Sequence, residues 1–126
     1  MSEGYILKQA EKSLPLKWYY DQSQFDLEVS KIWANDWFYV THESALNEPL
    51  SFVTVEVSKY NILLLKDRDG NINSYYNTCS HRGSVLQKDS SGKLKSNLLV
   101  CPYHQWSYNA SNGDLVRTTS INDPKD

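Results

Sequence analysis

A chain of 126 residues holds one domain's worth of core, and at that size roughly two-thirds of the unfolded surface is buried on folding. The formal net charge of −2, with no run of basic residues, argues against a nucleic-acid partner. The longest apolar run, Ile62-Leu63-Leu64-Leu65, is far too short to span a membrane, and Met1 to Ala10 carries Glu3, Lys8 and Gln9 where a secretory leader would be apolar. A soluble, cytoplasmic protein with no membrane partner is expected.

The first stretch, residues 1–20, holds Leu14-Pro15-Leu16 and Trp18-Tyr19-Tyr20, which is too apolar for a solvated tail and reads as an extended arm lying against something. From Ser23, a candidate helix cap, Phe25, Val29, Ile32, Trp33 and Trp37 fall within an arc of about 140° at 100° per residue. Asp26, Glu28, Lys31 and Asn35 take most of the remaining wheel. The pattern predicts an amphipathic helix of about four turns with an aromatic face. Such a face ordinarily packs on its own core; docking on another domain or on a second copy of the chain is the sharper reading.

Beyond the helix the hydrophobic period shortens. Trp37-Phe38-Tyr39-Val40 reads as a strand. In Ser51–Ser58, Val53, Val55 and Val57 point one way and Phe52, Thr54 and Glu56 the other, and Tyr60–Leu65 is apolar on both faces, as in a central strand. Asp67-Arg68-Asp69-Gly70-Asn71 supplies a hairpin turn, and Ile72–Asn77 returns as its partner. A polar loop over Lys88–Lys93, a strand over Leu94–Val100, and strands over Trp106–Tyr108 and Leu115–Thr118 about the Ser111-Asn112-Gly113-Asp114 turn complete the pattern. Many short strands with closely spaced turns predict an all-β antiparallel sandwich preceded by the helix. The expected division is 1–36 for the arm and helix, 37–120 for the β domain and 121–126 for a polar tail.

Two of the strand ends deliver soft ligands. Cys79-Ser80-His81-Arg82-Gly83 follows one and Cys101-Pro102-Tyr103-His104-Gln105-Trp106 follows another, with residues 82–100 between them. These are the chain's only two cysteines, with two of its three histidines. A disulfide is disfavoured, because each cysteine of a cytosolic chain sits within three positions of a histidine. Four such ligands could hold one structural zinc. Zinc modules, however, usually group cysteines in one knuckle and histidines in the other. One cysteine and one histidine per loop instead suits a two-iron cluster with a cysteine pair on one iron and a histidine pair on the other, the Rieske [2Fe–2S] arrangement. Cys79, His81, Cys101 and His104 are the expected cofactor-binding and metal residues, presented by two hairpin-like loops at one end of the sandwich.

Cys-x-His-Arg-Gly followed by Cys-Pro-Tyr-His-x-Trp closely resembles the Rieske domain in the large (α) subunits of ring-hydroxylating oxygenases. The helix ending in Trp37-Phe38-Tyr39-Val40, the Asp69-Gly70 hairpin, Asn77-x-Cys79 and Asn112-Gly113-Asp114-Leu115 extend the resemblance over most of the chain. Gln105 departs from it, standing where the family usually has glycine, and its side chain is expected either to crowd the second loop or to alter what that loop meets. The resemblance implies that Cys79 and Cys101 hold the inner, ferric iron, and that His81 and His104 bind the outer iron through Nδ1. Respiratory-chain Rieske proteins add a disulfide between the cluster loops and a membrane anchor. Neither is found in this sequence, so a potential toward the low end of the roughly −150 to +300 mV Rieske range is expected.

The resemblance further implies one-electron transfer from a ferredoxin or flavin reductase to a mononuclear iron held by two histidines and a carboxylate. With His81 and His104 committed, only His42 is left, and one histidine cannot build that triad. His42 reads as a surface loop residue at the end of a strand. The chain therefore reads as the electron-transfer portion of an oxygenase whose catalytic iron domain lies elsewhere; a free-standing Rieske ferredoxin or a structural zinc module are the alternatives. Ser80, Ser84 and Ser107 are candidate donors toward the cluster sulfurs, Gly83 a tight-turn residue beneath it, Arg82 a loop-bracing residue, and Tyr103 and Trp106 its shield.

Overall fold

The computed structural model describes residues 12–118, and these fall into two compact units, one ending at Trp37 and one beginning at Phe38. The part of the expected arm within residues 1–11 and the polar tail expected over 121–126 lie outside the described residues.

In the first unit, Leu16–Tyr19 is a single 3-10 turn, where an extended arm was expected, and helix α1 spans Gln22–Glu28. Its cap is Asp21, not Ser23: the Asp21 carboxylate accepts from the backbone N–H of Ser23 at 2.8 Å and of Gln24 at 3.4 Å. These bonds, with that from the Ser23 hydroxyl, hold the Asp21 carboxyl below its ordinary pKa. Val29–Trp33 then widens into one π turn, where the Ala34 N–H bonds to the Val29 carbonyl at 3.0 Å. The Asn35 side chain donates to the Ser30 carbonyl at 2.7 Å, satisfying a group that a continuing helix would have used. The helical stretch is therefore shorter than the four turns expected. Val29 is buried, but Phe25, Ile32 and Trp33 remain more than two-fifths exposed, and Trp37 lies beyond the helix, fully exposed.

The second unit is mostly antiparallel β-structure. A 3-10 turn over Glu43–Leu46 starts at His42, whose Nδ1 accepts from the Ser44 N–H at 3.1 Å. Strands β1 (Ser51–Val57), β2 (Tyr60–Lys66), β3 (Ile72–Tyr76) and β4 (Ser91–Lys93) form one sheet in the order β3-β2-β1-β4. Strands β5 (Leu98–Val100), β6 (Ser107–Asn109) and β7 (Leu115–Arg117) form a second, in sequence order. The register puts Phe52 opposite Leu65 and Val53 opposite Leu64, so adjacent residues face opposite sides of the sheet, as the period-two alternation required. The β2–β3 turn centres on Gly70 at φ +91° and is tied to buried Asp67, whose carboxylate accepts from the N–H groups of Asn71 at 2.8 Å and Asp69 at 3.0 Å. Burial alone would raise that carboxyl's pKa, but the bonds from Asn71, Asp69 and Asn73 outweigh it and hold the group low.

Three expectations need correction. Residues 37–40 form no strand, since no ladder forms there. Lys88–Lys93 is not all loop: Ser91–Lys93 pairs with β1, with Gly92 opposite Phe52. The strand predicted over Leu94–Val100 shortens to Leu98–Val100, because the chain bends at residues 95–97.

One core joins the two sheets. Phe52, Leu63 and Leu65 of the first sheet, Leu99 and Tyr108 of the second, and Leu86, Leu94 and Ala110 between them form a single buried cluster. Fully burying each leucine contributes about 1.5–3 kcal/mol. Cys79 and Cys101 belong to the same cluster. That places the ligand-bearing loops on the rim of the core.

Candidate metal centre

Each loop is fixed by backbone bonds close to its cysteine. In the first, the Cys79 N–H donates to the Ser84 carbonyl at 2.8 Å and the Gly83 N–H to the Cys79 carbonyl at 2.9 Å. Gly83 closes that turn at φ +71°, a conformation that suits glycine, as expected. In the second, Cys101 N–H donates to the Trp106 carbonyl at 2.8 Å and Gln105 N–H to the Cys101 carbonyl at 3.0 Å. Gln105 sits at φ +58°, which explains why glycine would be at ease there; its side chain is exposed and does not crowd the loop.

The four predicted ligands come together in two like pairs. Both cysteines are about 1 % exposed and belong to one buried cluster, and Cys79 is among the groups that lower the pKa of Cys101. The imidazoles of His81 and His104 meet edge to face with centroids 4.7 Å apart. Both rings are half-buried, and the Nδ1 atom of His104 is buried outright. Among the described residues no three His, Cys, Asp or Glu side chains converge on a point where a single ion would sit. The donors thus fall into a sulfur pair in the core and a nitrogen pair at its rim.

The electrostatics of the thiol pair are asymmetric. Burial would raise the pKa of Cys101, but the N–H groups of His104 and Tyr103 and the side chains of Cys79 and Ser84 more than offset it and lower the pKa. Buried sulfur facing backbone donors suits a thiolate ligand. Cys79 has a different partner, the Tyr108 hydroxyl at 3.0 Å, which also meets the Ser80 N–H at 3.1 Å and the Ser80 hydroxyl at 3.0 Å. Burial and the neighbouring Cys79 push the Tyr108 pKa up, so the phenol keeps its proton for the sulfur. Of the three serines that were candidate donors to the cluster sulfides, Ser84 helps lower the Cys101 pKa, Ser80 meets the Tyr108 hydroxyl at 3.0 Å, and the Ser107 hydroxyl donates to the Gln105 carbonyl at 3.0 Å. Trp106 stacks on His81 at 4.6 Å with the planes 10° apart, and the exposed Tyr103 leans on His104 at 4.0 Å. Arg82 is exposed. His42 serves as the cap described above, outside the group.

The donor set therefore fits a two-iron cluster that takes two sulfur and two nitrogen ligands from the protein. The family model described as Rieske [2Fe-2S] domain matches residues 36–123, most of the chain. The chain belongs to the Rieske [2Fe–2S] domain family. A Rieske-type [2Fe–2S] cluster is accordingly its cofactor. The glycine betaine monooxygenase oxygenase subunit of Chromohalobacter salexigens is 35 % identical over 101 residues, covering 80 % of this chain and 22 % of the relative. The toluate 1,2-dioxygenase subunit alpha of Pseudomonas putida is 33 % identical over 105 residues, covering 83 % and 22 %. Among solved structures, the quaternary ammonium Rieske monooxygenase CntA in complex with an inhibitor superposes with a TM-score of 0.79 at 33 % identity, over 86 % of this chain and 29 % of that one. The chain thus spans about a quarter of the length of these relatives. Its mostly antiparallel β-sheets, with a little helix, are consistent with a Rieske β-sandwich.

Proposed function

We propose that Cys79 and Cys101 hold one iron of the cluster and His81 and His104 the other. In this reading the domain transfers single electrons within a Rieske oxygenase whose mononuclear-iron catalytic domain lies outside this chain. The observation that carries the reading is the pairing of like with like: two free thiols in one buried cluster of the core, imidazole against imidazole at the rim. A zinc cage would need all four donors about one point. When bound, the cluster supplies a one-electron couple, which neutral histidine ligands set higher than an all-thiolate cluster would have.

The chain's own residues divide the remaining work. The backbone N–H groups of Tyr103 and His104 and the Tyr108 hydroxyl present donors to the two sulfurs, favouring negative charge there. Trp106 and Tyr103 fix the imidazole planes and exclude water from one side of each ring. The half-buried His81 and His104 rings form the natural exit for an electron toward an acceptor domain, with a ferredoxin or flavin reductase as donor. Substrate choice, whether a quaternary ammonium compound or an aromatic ring as the relatives' names indicate, belongs to the catalytic portion.

Electron paramagnetic resonance on the chain reconstituted with ferrous iron and sulfide tests the ligand assignment. The reduced protein should show a rhombic signal, with nitrogen couplings from two imidazoles in pulsed spectra. His104→Ala and His81→Ala should each remove one coupling and the signal's stability. A colourless protein with one equivalent of zinc, or an unaltered signal in either variant, would overturn the assignment. In-frame histidines and an aspartate downstream of Asp126 in the gene would identify the acceptor; a free-standing ferredoxin predicts none.

A further inference from the structure

We propose that Asn77 is the clasp that holds the first cluster loop shut, so that retention of the cluster depends on this one buried amide. The proposal rests on the ligand assignment above. It starts from a difference between the loops. The second loop, residues 101–106, is closed by its own hairpin: β5 and β6 run side by side from Leu98 opposite Asn109 to Val100 opposite Ser107, and the Cys101 N–H then reaches the Trp106 carbonyl. The first loop has no such ladder at its base. It leaves β3 and returns to β4, and these strands occupy opposite edges of their sheet, separated by β2 and β1. The Thr78–Val85 bridge links its two arms inside that base, through the Cys79 N–H on the Ser84 carbonyl at 2.8 Å and the Leu86 N–H on the Asn77 carbonyl at 3.4 Å.

Asn77 fills the missing rung. Its Nδ2 donates to the Gln87 carbonyl at 2.7 Å while its Oδ1 accepts from the Gln87 N–H at 2.8 Å, so the side-chain amide pairs with a peptide unit as a neighbouring strand would. The same Nδ2 donates to Asn61 Oδ1 at 2.9 Å, and the Asn77 N–H donates to the Asn61 carbonyl at 2.9 Å, which ties the rung to β2. One residue thus joins the outgoing arm of the loop, its returning arm and the central sheet, two positions before Cys79 and four before His81. No other side-chain group could do the same work at this size. Aspartate lacks the donors, and serine lacks the reach. Asn77 is fully buried, so deleting its amide removes both bonds to the Gln87 peptide and the bond to Asn61 Oδ1 at once. The expected result is an opened first loop over an intact sheet.

Asn77→Ala in the full chain loaded with the cluster tests this. Iron captured by a ferrous chelator should appear about tenfold faster than from the unsubstituted protein, from a sample whose rhombic signal is present at the start. Amide hydrogen exchange at Ile62 and Leu64 should stay within about twofold, because their N–H groups face β1 and the β1–β2 ladder does not run through the clasp. Release at the unsubstituted rate, or release that accelerates only in step with exchange at Ile62 and Leu64, overturns the proposal. Should Asn77→Ala fail to fold, the unsubstituted chain carries the test. The N–H groups of Gln87, Cys79 and Gly83 should exchange at one common rate, since one opening frees all three. Exchange of Gln87 while Cys79 and Gly83 stay protected overturns the proposal. A chain that never gives the rhombic signal fails the ligand assignment, whereas one that gives it and keeps its iron in Asn77→Ala fails only the clasp.

Discussion

At the scale of single residues, the four candidate ligands stood out in the sequence and the hydroxyl beside one of them did not. Two cysteines, each within three positions of a histidine, announce themselves in any sequence, because soft ligands at fixed spacing serve few purposes. Tyr108 announces nothing, since it is one of nine tyrosines. Its parity with Trp106 on the strand leaving the second loop was the only available signal, and the serines nearer the cysteines drew attention instead. In the folded chain its hydroxyl lies 3.0 Å from the Cys79 sulfur, a contact made across 29 residues of sequence. With Cys79 as an iron ligand, that bond favours the more negative, reduced cluster. Tyr108→Phe should therefore lower the midpoint potential by about 20–65 mV, for a bond worth about 0.5–1.5 kcal/mol more to the reduced state. Protein-film voltammetry reads this directly. An unchanged midpoint, with the rhombic signal intact, would show that the bond stabilises both redox states equally.

At the scale of elements, the sequence predicted best where periodicity and turn chemistry agreed. β1, β2 and β3 carry alternating or continuous apolar patterns around a glycine turn, and all three appear within a residue or two of their expected bounds. β4 carries neither signal. Ser91-Gly92-Lys93 has poor strand propensity and is exposed throughout, and only its pairing with β1 makes it a strand. The glycine that argued for a loop is required by the packing: a Cβ at Gly92 would lie 2.9 Å from the Phe52 ring across the ladder. The opposite error occurred at Trp37–Val40, where four large residues read as a strand but have no ladder to join. The helix failed at its ends for a local reason, because Asp21 caps it two residues early and the π turn at Val29 closes it. Gly92→Ala tests the close approach. It should destabilise the domain by about 1–3 kcal/mol, as overpacking does, unless the Phe52 ring moves into the core at the expense of its neighbours. Urea unfolding that shows a loss below about 0.5 kcal/mol would mean that the sheet edge yields without cost.

At the scale of the whole molecule, the first unit, ending at Trp37, is separable from the chemistry. Every ligand, every hydrogen bond described around the two sulfurs and both stacked aromatics belong to the unit that begins at Phe38. The match to the Rieske family begins at residue 36, almost at the same boundary. The first unit instead displays surface: Trp18, Phe25, Ile32 and Trp33 are each more than two-fifths exposed and Trp37 is wholly so. Apolar side chains gathered on so short a segment are a burden to a chain in water unless something covers them. In the parent oxygenase the proposed cover is the catalytic domain; with this chain alone it is a second copy. Two consequences follow for a chain cut to begin at Phe38. Its reduced spectrum and midpoint potential should match those of the full chain, because the contacts described around the four candidate ligands all come from residues of the second unit. Its sedimentation should shift from self-associated species to monomer at the same concentration, because the exposed aromatics are gone. A cut chain that loses the rhombic signal would place part of the cluster's support before Phe38. A full chain already monomeric at high micromolar concentration would show that the aromatic face is satisfied within one copy, and the helix would then need no partner domain.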